Sequence, residues 1–545
     1  MSEARDLESL MGYLGDFGKY QAWQFCLHIL SAVTAGLNMM SLVTVAAVPE
    51  HRCKIPEHDI NNTYTFLNDS TLAKYLPRLD SGEFDSCSIY NAFSNASYRC
   101  DSFVYDRTYY QSSRAIEWEF VCDRRWMGAV AQSAYMFGVF TGAVVLGNLA
   151  DKIGRKPVFC WSAVVQLILG IGVAFTPEYI SFLVIRFIYG IVGSAGCYIP
   201  GFVLTMELVG PNKRSMCGVA FQGAFAVGIM LVAGWGALIK DRQLLQIIYG
   251  CHALLLVGHF WLMDESPRWL WNNGRIKESL GIIKKALKMN GNPINVDAAQ
   301  FVSKGISESR TREERAGFLD LFRTPNLRKK TLNVMLCWFA NAIVYYGLSL
   351  NTGSLQGNPF FIIFIMGLIE IPSYFVTVYL MDRWGRRSLT SLEMVLGGIC
   401  CIVAVSVVQG PVSTSFVFAG KFLIASSFAV IYNYSAELFP TVIRSFAMGL
   451  GAMCARTSGA LTPFITLLDS FDPKIPSIIF AVISIVSGVL VMFLPETLNK
   501  PMPETIEEGE YFGVGDTFFT SIFRKGDKNE ISAKVESEQL QPLKK

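Results

Sequence analysis

The stretch GNLADKIGRK, Gly147–Lys156, decides the fold of this chain. Long apolar runs flank it on both sides, and four charged residues stand between them: Asp151, Lys152, Arg155 and Lys156. Such charges are costly in the lipid core of a membrane, whereas the flanking runs are long enough to cross it. Two long helices joined by so short a loop must be antiparallel neighbours. The stretch therefore predicts a charged turn between two membrane-spanning helices.

Similar polar motifs recur later in the chain at an offset of 230 or 231 residues. VYLMDRWGRRS repeats the theme of the first motif with Asp382, Arg383, Arg386 and Arg387. Two further pairs of motifs share this offset: Glu207 and Arg214 in MELVGPNKRS with Glu437 and Arg444 in AELFPTVIRS, and Glu265 in DESPRWL with Glu496 in PETLNKP. Three matches in one register, all between apolar runs, indicate a tandem repeat of two similar halves.

The composition is that of a membrane protein. Of the 545 residues, 52% are apolar, and the mean hydropathy is +0.36, which is high for a soluble chain. We predict an all-α membrane protein with twelve transmembrane helices in two pseudo-symmetric six-helix bundles. The apolar runs fall at roughly 21–48, 127–150, 157–177, 180–206, 216–239, 243–263, 331–355, 359–381, 388–408, 413–435, 445–468 and 474–494.

The segments between these runs give the domain organisation and orientation. Basic residues outnumber acidic ones in 264–330, and the reverse holds in 49–126. Because cytosolic loops carry the excess of Lys and Arg, both termini are predicted to be cytosolic. The predicted parts are a cytosolic N-terminal segment 1–20, an N-terminal bundle 21–263 that includes an extracellular loop 49–126, a cytosolic linker 264–330, a C-terminal bundle 331–494 and a cytosolic tail 495–545.

The predicted extracellular loop carries features of an oxidising compartment. Three N-x-S/T sequons predict glycosylation at Asn61, Asn68 and Asn95. Four of the 13 cysteines also lie in this loop: Cys53, Cys87, Cys100 and Cys122. Four cysteines predict two disulfides, and the spacing leaves all three pairings open.

The repeat and its motifs resemble the major facilitator superfamily. Within it, LGDFGKYQ (14–21), EWEFVCDRRW (117–126), DESPRWL (264–270), YYGL (345–348) and YSAELFPTVIR (434–444) resemble the organic cation, anion and zwitterion transporter family. The resemblance implies two six-helix bundles around a central cavity. It also implies a multi-pass plasma-membrane carrier that works by alternating access.

The repeated loop charges predict a cytosolic gate. Asp151 and Arg155 are four residues apart and can face one another or a neighbouring helix end. We predict ion pairs between the two halves, formed by Asp151, Arg155, Glu207, Arg214, Asp382, Arg386, Glu437 and Arg444. The alternative is that these charges are only topology signals. That explains the basic residues but leaves the repeated acids unexplained.

Two ionisable residues lie deep in predicted spans, where a charge costs roughly 2.5–3.5 kcal/mol at the helix centre. Arg456 lies near the middle of the eleventh run and Glu370 near the middle of the eighth. Arg456 could pair with Glu370, since buried charges are normally paired, or it could bind the carboxylate, sulfonate or phosphate of a substrate. Lys421 and Arg186 lie nearer span starts and are expected to snorkel.

The family resemblance relates these positions to cargo. An arginine at the position of Arg456 is typical of anion and carnitine-type carriers, whereas Tyr374 stands where anion carriers tend to have lysine. A zwitterion fits both: its carboxylate on Arg456 and its ammonium against aromatic faces and Glu370. The remaining candidate substrate residues are Tyr345, Tyr346, Phe428, Phe225, Gln222 and Trp338; for any one of them, helix packing is an equally good interpretation.

The sequence contains no ATP-binding G-x-x-x-x-G-K-S/T loop, no metal-spaced His/Cys set and no nucleophile triad. We therefore predict neither an enzyme nor a metal, cofactor or nucleic-acid partner. The predicted function is a plasma-membrane secondary transporter of small organic cations or zwitterions, carnitine-like, embedded in the lipid bilayer. The alternatives are an organic anion exchanger that uses Arg456 and, more remotely, a transporter-like receptor. Sodium coupling, proton coupling and facilitation all remain open.

Overall fold

Twelve membrane-spanning helices form the body of the protein. The computed structural model describes residues 7–55, 57–59, 63–78, 84–90, 96–291, 317–350, 355, 357–408, 410–513 and 516. Ten helices in this part are long and apolar enough to cross a membrane, and two further helices complete the set. In order, spans 1 to 12 are Lys19–Val45, Trp126–Ile153, Arg155–Phe175, Tyr179–Leu208, Pro211–Leu238, Arg242–Leu262, Pro325–Leu350, Pro359–Trp384, Arg386–Ser406, Pro411–Leu438, Arg444–Thr466 and Ile475–Val491.

The predicted twelve spans are confirmed, with boundaries that shift by a few residues. The largest differences lie on the side of the two termini, which we call the terminal side; the opposite side, with the 49–126 loop, is the loop side. Span 2 continues through Asp151 to Ile153, and only Gly154 separates it from span 3. The charges of the first motif therefore lie on helix ends and not in a turn of several residues.

Glycines allow close helix packing within the N-terminal half. Gly138 of span 2 faces span 4, and a Cβ added to it would lie 2.1 Å from the Phe187 carbonyl oxygen. Gly190 of span 4 faces span 2, and a Cβ added to it would lie 2.2 Å from the Tyr135 carbonyl oxygen. Small residues are what such close approach requires. Directly after Gly190, span 4 widens into a π-helical segment, Ile191–Tyr198, before it returns to α-helix at Ile199. Such wide turns reorient the side chains that follow them.

The two halves meet along two pairs of helices. Span 2 packs against span 11, and span 5 packs against span 8. At the loop-side end of the second pair, Gly236 and Phe360 are in contact, because a Cβ on Gly236 would lie 2.7 Å from the Phe360 ring. The interface therefore runs between these four helices.

The loop on the opposite side from the termini is a small folded unit. Strand β1, His51–Cys53, pairs with β4, Phe103–Tyr105, and β2, Ser88–Tyr90, pairs with β3, Ser97–Arg99; both pairs are antiparallel. Short helices cover Asp69–Tyr75 and Arg114–Trp118. Disulfides join Cys53 to Cys100 and Cys87 to Cys122. The four cysteines thus form two disulfides as predicted, in one of the three pairings left open.

Polar contacts fix this loop to the turn between spans 5 and 6. The Ser112 hydroxyl donates to Asp241 Oδ2 at 2.9 Å, and Arg242 pairs with Glu117 at 2.7 Å. Asp241 also caps span 6 through the N–H groups of Gln243 and Leu244. The bond from the Leu244 N–H is the main reason why the pKa of Asp241 lies below its ordinary value.

On the terminal side, short helices cover the N-terminal half. Helices Leu7–Tyr13, Pro267–Asn272 and Ile276–Asn290 share a core of buried apolar residues with the end of span 4. Asn290 ties this unit to span 1, because its Oδ1 accepts from the Tyr20 N–H at 2.9 Å. Within the predicted linker, residues 292–316 lie outside the described residues, and a short helix covers Asp320–Arg323 before span 7.

The C-terminal half has its own cover, a helix at Ile506–Tyr511 in the predicted tail. Lys330 Nζ, near the start of span 7, donates to the carbonyl oxygens of Gly509 at 2.8 Å and Phe512 at 2.7 Å. In return, the Glu510 carboxylate accepts from the backbone N–H groups of Asn326 and Leu327. Backbone N–H groups at the start of a helix and carbonyl groups at its end have no partner within that helix. Here each of the two helices supplies a side chain that hydrogen-bonds these groups on the other.

Candidate functional site

A buried ion pair lies inside the C-terminal half. Glu370 of span 8 and Lys421 of span 10 are both fully buried, and Lys421 Nζ lies 2.8 Å from Glu370 Oε1. Lys421 also donates to the Ser349 hydroxyl at 2.5 Å. A buried pair of this kind is stable only when further hydrogen bonds satisfy both groups.

Two tyrosine hydroxyls complete the shell around Glu370. Tyr345 donates to the carboxylate at 2.8 Å and Tyr374 at 3.1 Å. The Tyr345 ring also faces the lysine, with Lys421 Nζ 3.2 Å from the ring centroid. The carboxylate is therefore held by one cation and two phenols.

This geometry decides against one of the two alternatives left open for Arg456 and corrects the expectation that Lys421 and Arg186 snorkel. Glu370 pairs with Lys421 and not with Arg456, because spans 8 and 10 pack side by side. Lys421 does not snorkel, and neither does Arg186, which is fully buried. Arg186 donates to the Gln132 amide oxygen at 3.3 Å and the Ser41 hydroxyl at 3.4 Å, and its guanidinium lies over the Tyr135 ring.

Arg456 occupies a different environment. Its side chain is half-buried, and its Nη1 donates to the Ala452 carbonyl oxygen one turn earlier at 3.2 Å. Within the described part of the chain it forms no ion pair with a carboxylate. It interacts electrostatically with the phenols of Tyr198 from the N-terminal half and of Tyr346 and Tyr432 from the C-terminal half. Arg456 therefore lies where the two halves face each other.

Most of the predicted aromatic residues of the C-terminal half form one cluster. Phe428 stacks on Tyr345 with ring centroids 5.9 Å apart and contacts Trp338 at 5.8 Å. Trp338 is fully buried in this structure, and its indole N–H donates to the Ser435 hydroxyl. Tyr346 lies edge-on to Tyr345 at 5.3 Å and packs against apolar clusters of both halves.

The N-terminal half contributes two predicted residues of span 5. Phe225 is half-buried and packs against two of the clusters that Tyr346 also contacts. Gln222 is half-buried, and its amide oxygen is buried without a hydrogen-bond partner among the described residues. A buried acceptor without a donor is costly unless a ligand or water completes it.

Three residues beside the predicted ones were not assigned to the candidate site from the sequence: Tyr198, Tyr432 and Lys421. Tyr198 ends the π-helical segment of span 4, and its ring packs against Phe221 at 5.5 Å. Tyr432 contacts the Trp338 ring at 4.3 Å. A tyrosine one helical turn after Phe428 was the available signal for Tyr432.

The charged motifs pair within each half. Arg155 lies 3.0 Å from Asp151 and 3.1 Å from Glu207. In the second half, Arg386 lies 3.5 Å from Asp382 and 3.0 Å from Glu437. The predicted ion pairs between the halves belong to the outward-open state and stay a prediction; in this structure Arg155 and Arg386 each pair with acids of their own bundle.

The remaining gate residues follow the same symmetry. Arg214 Nε donates to the Val209 carbonyl oxygen at 3.2 Å, and Arg444 Nε donates to that of Phe439 at 3.3 Å. Each arginine thus binds the end of the helix that precedes its own.

A third carboxylate in each half caps a helix. Glu265 Oε2 accepts from the Lys156 N–H at 3.0 Å, and Glu496 accepts from the N–H groups of Arg386 at 2.8 Å and Arg387 at 3.1 Å. Burial raises the pKa of Glu265, although backbone donors and Arg155 favour its charged form. Both glutamates neutralise the positive end of a helix that begins right after a glycine.

An ion pair between the halves does exist, but on the loop side. Arg125, just before span 2, lies 2.8 Å from Asp469, just after span 11, and also donates to the Ser470 hydroxyl. Two turns into span 2, the Ser133 hydroxyl donates to the Ala460 carbonyl oxygen of span 11 at 2.7 Å. The halves are therefore joined at the loop side.

Of the predicted glycosylation sites, only Asn68 lies in the described part; Asn61 and Asn95 lie outside the described residues. Asn68 is exposed, and its side chain does not cap the helix that follows it. Its amide is thus accessible.

Known proteins are similar to this chain in sequence. The family model described as sugar (and other) transporter matches residues 86–508. An organic cation transporter protein of Drosophila melanogaster is 37% identical over 93% of this chain and 95% of its own length. A beta-alanine transporter of the same organism is 29% identical over 93% of this chain and 89% of its own length.

A solved structure supports the same fold. The inward-open xylose transporter XylE from E. coli superposes with a TM-score of 0.58 at 16% identity, over 89% of this chain and 98% of its own. This similarity confirms the major facilitator fold predicted from the repeat. The chain belongs to the sugar (and other) transporter family and, within it, to the organic cation, anion and zwitterion transporter family, and is a membrane transporter of organic ions and not an enzyme.

Proposed function

We propose that this transporter carries small zwitterions or cations with a carboxylate, carnitine-like molecules being the model, across the plasma membrane by alternating access. The observation that carries the proposal is Arg456. Its guanidinium interacts electrostatically with tyrosines of both halves and has no carboxylate partner in the described part of the chain. A planar, permanently charged fork in that position suits a carboxylate.

The aromatic cluster is proposed to hold the other end of the substrate. Tyr346, Tyr432 and Phe428 lie within one connected set of rings beside Arg456. An ammonium group against such faces gains cation–π attraction of about 2 kcal/mol when it is desolvated. Glu370 enters this proposal only indirectly, because Lys421 already neutralises it.

Contacts between the halves support alternating access. The loop side is joined by Arg125–Asp469 and Ser133–Ala460, while the charged motifs on the terminal side pair within each half. On the terminal side a longer hydrogen bond, from the Ser215 hydroxyl to the Asn433 amide oxygen at 3.4 Å, also joins the halves. Since the ion pair between the halves lies on the loop side, we interpret this as a state closed on that side. If the loop side is extracellular, as the positive-inside rule predicts, the state faces the cytosol. The repeated motifs would then act as a gate only when the halves close on that side.

An anion exchanger is the second candidate. It is favoured by the same Arg456 together with the neutralised Glu370, which leaves the site with a net positive charge. The two candidates differ in whether an ammonium group on the substrate is required.

Uptake by the purified protein in liposomes tests the proposal. We expect carnitine and β-alanine to be taken up better than a dicarboxylate of similar size. Arg456→Ala should reduce carnitine uptake by about 30-fold or more, since loss of one partner of a desolvated charge pair costs about 2 kcal/mol or more. Uptake of the dicarboxylate alone would select the anion exchanger.

Matched variants separate binding from folding. Tyr346→Leu removes a ring at the interface, whereas Tyr379→Leu removes one that is 56% exposed on the outside of span 8. Only the first should weaken uptake of ammonium-bearing substrates. Normal carnitine uptake by Arg456→Ala would assign that arginine to structure.

A further inference from the structure

A third carboxyl group is buried in the C-terminal half, and neither the substrate site nor the charged motifs use it. Glu393 of span 9 is 4% exposed and lies about two turns from the terminal-side end of its helix. Its Oε1 is hydrogen-bonded to the Ser426 hydroxyl of span 10. Its Oε2 is buried without a hydrogen-bond partner among the described residues.

The helices packed around Glu393 offer it no cation in the described part of the chain. Span 12 contains no ionisable residue. The ionisable residues of the other neighbours are Glu370, Tyr374, Tyr379, Asp382 and Arg383 on span 8, Lys421, Tyr432, Tyr434 and Glu437 on span 10, and Arg328, Lys329, Lys330, Cys337, Tyr345 and Tyr346 on span 7. The cations of span 7 lie in its first turns at the terminal side, where Lys330 donates to the carbonyl oxygens of Gly509 and Phe512. The buried cation of span 10, Lys421, is bound to Glu370 and Ser349. On span 9 itself, Arg387 donates to the Leu494 carbonyl oxygen and Arg386 pairs with Glu437.

A row of hydroxyl groups leads away from Glu393. Ser426 Oγ lies 2.5 Å from the Thr377 hydroxyl of span 8. Thr377 in turn donates to the Ser373 carbonyl oxygen at 2.7 Å, and the Ser373 hydroxyl donates to the Glu370 carbonyl oxygen at 2.7 Å. The side-chain hydrogen bonds therefore run from Glu393 through Ser426 to Thr377, and the hydroxyls of Thr377 and Ser373 are bonded to backbone carbonyl oxygens of span 8 on the turns that follow Glu370.

The direction of this row depends on one proton. While Thr377 donates to Ser373, Ser426 can donate to Thr377 only if the Glu393 carboxyl group donates to Ser426, which requires a neutral acid. If Glu393 loses that proton, Ser426 must donate to Glu393, and Ser426 no longer donates to Thr377. An ionised carboxylate with one hydroxyl donor and no cation would be costly at this depth.

We propose that Glu393 is a proton-binding site through which this transporter couples organic ion movement to a proton gradient. One proton from the water on one side binds the Glu393 carboxylate and gives a neutral acid; the same proton leaves to the water on the other side and restores the carboxylate. The hydroxyl row links this change to span 8 and so to the shell around Glu370. This inference rests on the proposed transport function.

The test uses the full-length protein in liposomes with labelled carnitine and labelled tetraethylammonium as probes. Counterflow at equal pH on both sides measures transport alone. Uptake with acid on the side from which the probe enters, with and without a protonophore, measures coupling. For one proton per substrate, a gradient of one pH unit should raise accumulation by up to about tenfold, and the protonophore should remove this gain.

Glu393→Gln keeps the shape of the side chain and removes its ionisable carboxyl group. We expect counterflow within about twofold of the unmodified protein, a small change in free energy, because the amide keeps the shape and the neutrality of the protonated acid, and we expect no stimulation by the pH gradient. Glu504→Gln, an exposed carboxyl outside the spans, is the matched control and should keep both properties. If Glu393→Gln does not fold, Ser426→Ala replaces it and should shift the pH at which uptake is half-maximal.

The outcomes are distinct. Stimulation retained in Glu393→Gln, an unshifted pH profile in Ser426→Ala, or stimulation by sodium but not by protons would overturn the proton site. Absence of counterflow by the unmodified protein with both probes would instead contradict the proposed transport function.

Discussion

The two halves are near copies at their terminal-side ends and differ in their interiors. At the ends, Arg155 and Glu207 match Arg386 and Glu437 in both role and distance. In the interior, the N-terminal half buries Arg186 among neutral hydrogen-bond partners, whereas the C-terminal half buries two acids and a lysine. The two halves thus share the ion pairs and carboxylate caps at their helix ends. A buried ion pair within the membrane-spanning part is found in the C-terminal half of the described chain.

The C-terminal interior offers the largest effect. Glu370→Gln leaves Lys421 buried without its counter-ion and should lower the free energy of unfolding by about 3–5 kcal/mol, as for other broken buried pairs. The double variant Glu370→Gln with Lys421→Gln should recover much of this loss. Chemical unfolding in detergent, arranged as a double-mutant cycle, measures the coupling.

The corresponding cycle in the N-terminal half is Arg186→Gln with Gln132→Ala. Its coupling energy should be smaller, about 1.5–3 kcal/mol, since only one partner is charged. Equal coupling energies in the two cycles would mean that the interiors do not differ as described.

The helix caps test the similarity of the halves. Glu265→Gln and Glu496→Gln should each lower the free energy of unfolding by about 1.5–3 kcal/mol, because each removes the charge from an acceptor of backbone N–H groups. The two losses should agree within about 0.5 kcal/mol and should add in the double variant, since the sites are in different bundles. A loss confined to one half would break the comparison.

The smallest expected effect concerns the loop side. Arg125 and Asp469 are 40% and 25% exposed, so Arg125→Gln should change the free energy of unfolding by less than about 1 kcal/mol. It should still favour opening on that side, which labelling of a single cysteine introduced near Ser133 would detect. High salt should mimic the variant in the unmodified protein. Labelling unaffected by either change would remove this pair from the proposed loop-side closure.

Much of the architecture could be predicted from sequence, because it depends on the composition of short segments of the chain. Span boundaries follow from hydropathy, and the Glu265 and Glu496 motifs are visible as a repeat with a fixed offset. The Glu370–Lys421 pair could not be predicted in the same way. Depth along a helix says nothing about which neighbour the side chain faces, so Lys421 looked like a residue near a span end.

The Arg125–Asp469 contact was missed for a related reason. Polar residues at span ends are expected from topology alone, and these two are far apart in the chain. Only the packing of span 2 against span 11 brings them together. The position of Arg456 near the middle of its span could be predicted from the sequence. The tyrosines with which it interacts could not all be predicted, because they lie on three different helices.

The mutual capping of Lys330 and Glu510 has a consequence for synthesis on the ribosome. Span 7 is the first helix of its bundle to be made, yet the groups that complete its beginning arrive with Ile506–Tyr511, after every other span. A nascent chain that stops short of this segment leaves a buried lysine and open amides at the membrane border. Span 7 can therefore complete these hydrogen bonds only after Ile506–Tyr511 and the residue that follows it have been translated.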